Sequence, residues 1–174
     1  MIINITSSIN SYPIIIKKNS LKELSSLFGL QHKKTLIVTD DNIPTKYIED
    51  CKSNFQESHV LVFPNGENTK SIESFLTIQK TLLDLSFTRH DLVIALGGGV
   101  IGDLVGFSCS SYKRGIDFIN IPTSSLSMID SSIGGKTAIN YHRYKNVIGS
   151  FYTPLGVLID YSLLESLPKR QLNN

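Results

Sequence analysis

Residues 91–103 read DLVIALGGGVIGD: an apolar run, three consecutive glycines, then an apolar and small-residue segment that can continue as a helix to about Tyr112. Leu92, Val93, Ile94, Ala95 and Leu96 show no polar alternation, the pattern of a strand buried on both faces of a parallel sheet. Gly97, Gly98 and Gly99 permit backbone conformations and close approaches that a Cβ forbids. A turn of this kind at a helix start aims N–H groups and the positive end of the helix dipole at whatever lies above it, which makes it an anion site.

The spacing Gly97-x-Gly99-x-x-Gly102 fits the dinucleotide fingerprint, with Val100, Ile101 and Asp103 completing the turn. The acidic residue expected about twenty positions further on falls at Asp117, inside the run IDFINIP and not at a strand end. The motif therefore reads as a phosphate-cradling turn outside the orthodox Rossmann start.

Working back toward the N-terminus, 12–17 (YPIIIK) predicts a strand with 2–5 as its candidate partner. Ser20 stands where it can cap a short helix carrying Leu21, Leu24, Leu27 and Phe28, and Gly29 is its stop. Next, 35–39 (TLIVT) reads as a buried strand ending in Asp40, Asp41 and Asn42, and 43–55 as an amphipathic helix with Ile43, Tyr47, Ile48, Cys51 and Phe55 on one face. A strand at 59–63 leads into PNGENTK, and a helix from Ser71 to about Phe87 should bury Ile72, Phe75, Leu76, Gln79, Leu82 and Leu83. After the glycine turn and its helix comes a strand at 116–121. Alternation of strand and helix predicts an α/β fold, Rossmann-like, with a mostly parallel sheet and helices on both faces.

Beyond Pro122 the pattern changes. The segment TSSLSMIDSSIGGKTAIN is crowded with small and hydroxyl residues around Asp130, Gly134, Gly135 and Lys136. That is poor core material and good ligand-shell material, since hydroxyls and backbone N–H groups bind phosphate and sugar oxygens. It reads either as a polar surface loop or as part of a site, and the recurrence of Lys145, Asn146 and Gly149 favours the site.

A length of 174 residues makes one ordinary domain, and a net charge of +2 gives no nucleic-acid or anionic-membrane footprint. No apolar run approaches the roughly twenty residues of a membrane span, and the N-terminal MIINITSSINSYP lacks the form of a secretory signal. Cys51 and Cys109 form no CxxC, which suits a reducing, cytoplasmic setting. His32, His59, His90 and His142 are isolated, so no metal site is expected from this chain alone.

Taken in order, GGGVIGDLVGF, RGIDFINIPTS, DSSIGGKTAIN, KNVIGSFYTP and LLESLPKR resemble the N-terminal half of the 3-dehydroquinate synthase family, which belongs to the sugar phosphate cyclases. The resemblance is clear from residue 40 to residue 170 and vaguer before that. It implies bound NAD used catalytically, a divalent metal (zinc or cobalt), and conversion of 3-deoxy-arabino-heptulosonate 7-phosphate to 3-dehydroquinate and phosphate. In that scheme a secondary hydroxyl is oxidised by NAD, phosphate is eliminated, the ketone is reduced back, and the ring opens and recloses by an aldol step.

Carried over residue by residue, the resemblance assigns Asp40 and Asn42 to the adenosine end of NAD, and Asn65, Gly66, Glu67, Asn68, Thr69 and Lys70 to the next cofactor loop. Residues 99–103 match the pyrophosphate turn; Thr123 and Ser124 stand where the family usually has two threonines. Lys136 and Lys145 match lysines near nicotinamide and substrate, and Leu163, Leu164, Glu165 and Ser166 a further cofactor segment. Substrate and catalytic roles fall to Asp130, Lys136 and Asn146, with Arg114 reaching the neighbouring subunit's site in a homodimer.

One departure stands out. Where the family continues from LPxRE into a helix carrying GxAEVIK, whose Glu is a metal ligand, and later to two His ligands, this chain reads LPKRQLNN. The expectation is a fragment or truncated form without the metal-binding helical domain: inactive alone, with Leu163, Leu164 and Leu167 left exposed. The alternatives are a stand-alone NAD-binding module that performs no chemistry, another sugar phosphate cyclase, or a metal-dependent polyol dehydrogenase of related fold.

Overall fold

The computed structural model describes residues 1–6 and 10–166. Strands β1 (Ile2–Thr6), β2 (Ser11–Ile16), β3 (Thr35–Asp40), β4 (Ser58–Phe63), β5 (Leu92–Gly97), β6 (Asp117–Pro122) and β9 (Gly156–Ile159) form one sheet in the order β1-β2-β9-β6-β5-β3-β4. All its pairings are parallel except that of β1 with β2. Strands β7 (Lys136–Tyr141) and β8 (Tyr144–Phe151) make a separate antiparallel hairpin.

Helices α1 (Leu24–Phe28) and α2 (Thr45–Lys52) cover one face of the sheet, α3 (Ile72–Asp84) and α4 (Gly99–Ser111) the other. The two-residue period of the strands divides the core accordingly. Ile37, Leu92, Ile94, Leu96, Ile119 and Ile121 pack on the side of Cys51 and Leu24, whereas Leu36, Val38, Val93, Ala95 and Phe118 pack on the side of Ile78, Leu82 and Leu104. The unbroken apolar runs are thus strands buried on both faces.

Several local expectations change. Ser20 does not cap the first helical turn; its hydroxyl donates to the Lys17 carbonyl (2.8 Å). The N–H groups of Asn19, Ser20 and Leu21 go instead to the buried carboxylate of Asp160, at 2.9, 2.7 and 3.2 Å. Residue 160 follows β9, so the cap depends on a tertiary contact that no local pattern encodes. Helix α2 starts later than expected because Pro44, with ψ 132°, holds extended backbone just before it. In α3, capped by the Ser71 hydroxyl on Ser74 N–H (3.2 Å), Ile78 and Leu82 are buried while Leu76 and Leu83 are exposed. The buried face is rotated from the expected stripe because α4 lies beside α3, with Phe75 against Phe107 and Gln79 Nε2 on the Ser108 carbonyl (2.8 Å).

The segment after Pro122 is not a loop. It forms a π-helical turn (Ser127–Ser131), the β7–β8 hairpin, and β9, which inserts between β2 and β6. Helix α4 lies between the sheet and this hairpin. A Cβ at Gly106 would come within 2.4 Å of Thr137 Cγ2 and 3.2 Å of the Phe118 ring. Leu163, expected to be exposed, is buried at 1 % and Leu164 packs against the same core cluster; Leu167 lies outside the described residues. Among the described residues no helix is long and apolar enough to cross a membrane.

Candidate cofactor site

The sheet order places the site. From β3 the chain passes to β4 on one side, and β5 lies on the other, so the connections leaving β3 and β5 diverge at their carboxyl ends. Such a switch point is where open α/β sheets bind ligands. Thr39 pairs with Leu96, which puts the Asp40–Asn42 turn beside Gly97. The buried hydroxyl of Thr39, near the carboxyl end of β3, has no hydrogen-bond partner among the described residues.

Helix α4 starts directly from this crevice. Its first intrahelical bond runs from Gly102 N–H to the Gly98 carbonyl (3.1 Å), so the N–H groups of Gly99, Val100 and Ile101 have no intrahelical acceptor. None of Gly97, Gly98 and Gly99 uses a positive φ; their lack of a Cβ serves close approach. A Cβ on Gly99 would lie 2.9 Å from Ser131 Oγ, and one on Gly98 3.7 Å from Ser124 Oγ. Two hydroxyls therefore stand beside the glycines that start the helix. Gly102 lets α4 approach β6, with Asn120 Nδ2 at 3.1 Å from where its Cβ would be. Ile101 is core, packed with Leu104 and Val105, so only its backbone can face a ligand.

Around this turn lies a polar cluster. Lys70, only 5 % exposed, donates from its ammonium to Asp103 Oδ2 and to Asn146 Oδ1. Asp103 sits in the second turn of α4, not the first, so its charge answers Lys70 and not the helix dipole. Burial pushes its carboxyl above the ordinary range, and Glu67 adds to this against the pull of Lys70. Asn140 bridges Glu67 Oε1 (2.8 Å) and the Asn146 N–H (2.9 Å), and Lys145 reaches Glu67 at 3.7 Å. Asn140 was not among the residues singled out in the sequence, although it closes the stretch KTAIN.

Two clefts flank the cluster. One, of about 710 Å³, brings together Asp103, Asp130, Ser131, Lys136 and Asn146. The other, of about 440 Å³, is lined by Glu67, Asn68, Lys70 and Lys145 and by the tip of the β7–β8 hairpin. Asp40 is buried and its Oδ1 accepts from Asn42 N–H (3.0 Å) and Asn65 Nδ2 (3.3 Å), holding two of the crevice loops together. Gly66 turns with φ 118° into Glu67–Thr69, and Thr69 donates to the Pro64 carbonyl. Thr123 is buried, its N–H bonded to the Gly97 carbonyl (3.0 Å). Leu163 and Leu164 pack into the core and Glu165 pairs with Lys18 at 3.6 Å; the side chain of Ser166 is outside the described residues.

Arg114 is not brought to this cluster within the chain. It follows the 13-residue α4, about 20 Å from the glycine turn at 1.5 Å per residue, with φ 66° next to Lys113 at 47° and Gly115 at 126°. Asp117, at the start of β6, is likewise at the far end of the sheet. Among the described residues no three His, Cys, Asp or Glu side chains converge to hold a metal ion.

Known proteins share this architecture. Over 165 residues the chain is 47% identical to a 3-dehydroquinate synthase from Shewanella halifaxensis, covering 92% of this chain and 46% of that protein. A 2-epi-5-epi-valiolone synthase structure from Streptomyces hygroscopicus, with NAD+ and Zn2+ bound, matches with TM-score 0.84 and 28% identity over 96% of this chain and 48% of that one. A 2-deoxy-scyllo-inosose synthase complexed with carbaglucose-6-phosphate, NAD+ and Co2+ shares the fold at TM-score 0.90 and 24% identity, over 98% of this chain and 49% of that one. The chain spans about half the length of the curated relatives it matches. Residues 60–174 match the family model described as 3-dehydroquinate synthase N-terminal, and the chain belongs to that family.

Proposed function

We propose that this chain is the N-terminal, NAD-binding part of a 3-dehydroquinate synthase, acting on 3-deoxy-arabino-heptulosonate 7-phosphate. The observation that carries the reading is the glycine turn at the sheet's switch point, where α4's first N–H groups have no intrahelical acceptor, with the Ser124 and Ser131 hydroxyls next to Gly98 and Gly99 and the Glu67–Lys70–Asp103–Asn146 cluster beside it. NAD fits what is present. The N–H groups of Gly99, Val100 and Ile101 suit a pyrophosphate, Asp40 and Asn42 border the crevice for the adenosine end, and Glu67 keeps Oε2 available to accept from a ribose hydroxyl. When bound, the nicotinamide would accept and return a hydride.

The chain's own residues then bind and orient. Lys70 neutralises Asp103 and fixes the Asn146 carboxamide at the rim of the larger cleft. Lys136, exposed at that rim, offers a cation to a phosphate or carboxylate, and Asp130 an acid–base group in the same cleft. The divalent metal of the family finds no ligand set among the described residues, and we place it with the half of the family's length that this chain does not span. Arg114 would act in a homodimer, in the partner's site.

Phosphate release from the heptulosonate phosphate tests this. The chain with NAD and zinc should stay at background. Adding the C-terminal half of the Shewanella relative should produce release, abolished by Lys136→Ala. Zinc-dependent turnover by residues 1–174 alone would overturn the placement of the metal. NAD binding with no release from any mixture would favour an NAD-binding module without chemistry.

A further inference from the structure

We propose that Asn140 is a positioning residue of this site, a clip that holds the 64–70 loop against the β7–β8 hairpin; the proposal rests on the cofactor reading above. Asn140 commits three polar groups to it. Its N–H donates to the Lys70 carbonyl (2.8 Å), its Nδ2 to Glu67 Oε1 (2.8 Å), and its Oδ1 accepts from Asn146 N–H (2.9 Å). Chemistry fixes the orientation of the amide, because a carboxylate needs a donor and an N–H needs an acceptor.

The backbone is arranged around these bonds. The β7–β8 ladder is irregular between Ile139 and Tyr141, so residue 140 leaves the regular pairing. Opposite it, Asn146 has φ 54°, a left-handed conformation that non-glycine residues keep only where their surroundings fix it. The Asn140 bond to Asn146 N–H supplies that constraint, and Asn146 Oδ1 then meets the Lys70 ammonium. One residue thereby positions all three, its side chain holding Glu67 and Asn146 and its backbone N–H the Lys70 carbonyl. A carboxamide suits this place, since it both donates and accepts; Asp would set two carboxylates against each other and Ala would leave the Asn146 N–H without its acceptor.

The test uses the whole chain with Asn140→Ala and Asn140→Asp, NAD affinity by calorimetry between pH 5 and 8, and amide exchange by mass spectrometry. In Asn140→Ala the dissociation constant for NAD should rise about tenfold, as expected for loss of a hydrogen bond to a charged group. In Asn140→Asp it should rise at least as much near neutrality and fall back toward wild type as the pH is lowered and the new carboxylate takes up a proton; Asn140→Ala should show no such recovery. Exchange in Asn140→Ala should accelerate at 64–70 and 142–147 and stay unchanged in β5 and α4. Wild-type NAD affinity in Asn140→Ala, or a loss in Asn140→Asp that ignores pH, overturns the positioning role alone. A wild-type chain that takes up no NAD overturns the cofactor reading, and unaltered exchange in Asn140→Ala then overturns the clip as well.

Discussion

The Lys70 ammonium and the Asp103 carboxylate form an ion pair between the loop before α3 and the second turn of α4, with side chains 6% and 20% exposed. Removing one member of such a pair leaves the other charge in poor solvent. Lys70→Ala should cost about 3 kcal/mol, the lower end for breaking a buried pair from one side. A Lys70→Met/Asp103→Leu double variant should recover most of that. Urea unfolding of the single and double variants checks this; equal losses in both would mean that the pair itself is not what matters.

The raised carboxyl of Asp103 gives a pH dependence of known sign. Its folded value lies above its unfolded one, so as the pH rises from about 3.8 the unfolded chain gives up its proton first, and the folded state loses stability relative to it until the folded value is passed. The stability of wild type minus that of Asp103→Asn should therefore fall with rising pH from about 4 upward. Unfolding both proteins across that range would show it, and a difference that rises instead would reverse the assigned cause.

Cys51 and Cys109 are fully buried, and burial pushes both thiols up. Thiolate is the reactive form. Native chain should resist alkylation by iodoacetamide and react at both positions only in denaturant; rapid native labelling at either would show that the core opens.

Val147 and Phe151, which line the larger cleft, are exposed at 56% and 68%, and Leu126 and Ile129 are exposed at 69% and 78%. The chain should bind a hydrophobic dye and self-associate at high concentration. Replacing Ile129 and Phe151 by Ser should reduce both; a monodisperse wild-type monomer that ignores the dye would contradict this.

The sheet was legible wherever a strand is buried on both faces, because 36–38 and 92–96 carry unbroken apolar runs that little else explains. The glycine turn was legible for the same kind of reason, and it lies at the switch point. Strand β9 was missed although GVLI is itself a short apolar run followed by a polar end; four residues are too few to outweigh the polar segment before them. The hairpin was hidden by its mixed duty. Thr137 and Ile139 face α4, while Asn140 and Asn146 face the cluster, which destroys any simple alternation. The resemblance brought forward Asp130, Lys136 and Asn146, which do share one cleft, but the roles of Asn140 and Asp160 arise from contacts across 73 and 140 residues that local pattern cannot carry.

Calorimetric titration of the chain with NAD, beside Gly99→Val, tests the central claim most directly. In that variant side-chain atoms would enter the space next to Ser131 Oγ and over α4's first N–H groups, at a stability cost of about 1–3 kcal/mol from overpacking. The account predicts saturable, one-to-one binding by wild type and loss of it in Gly99→Val while the variant remains folded. Absence of binding by wild type, or equal affinity in Gly99→Val, would contradict it.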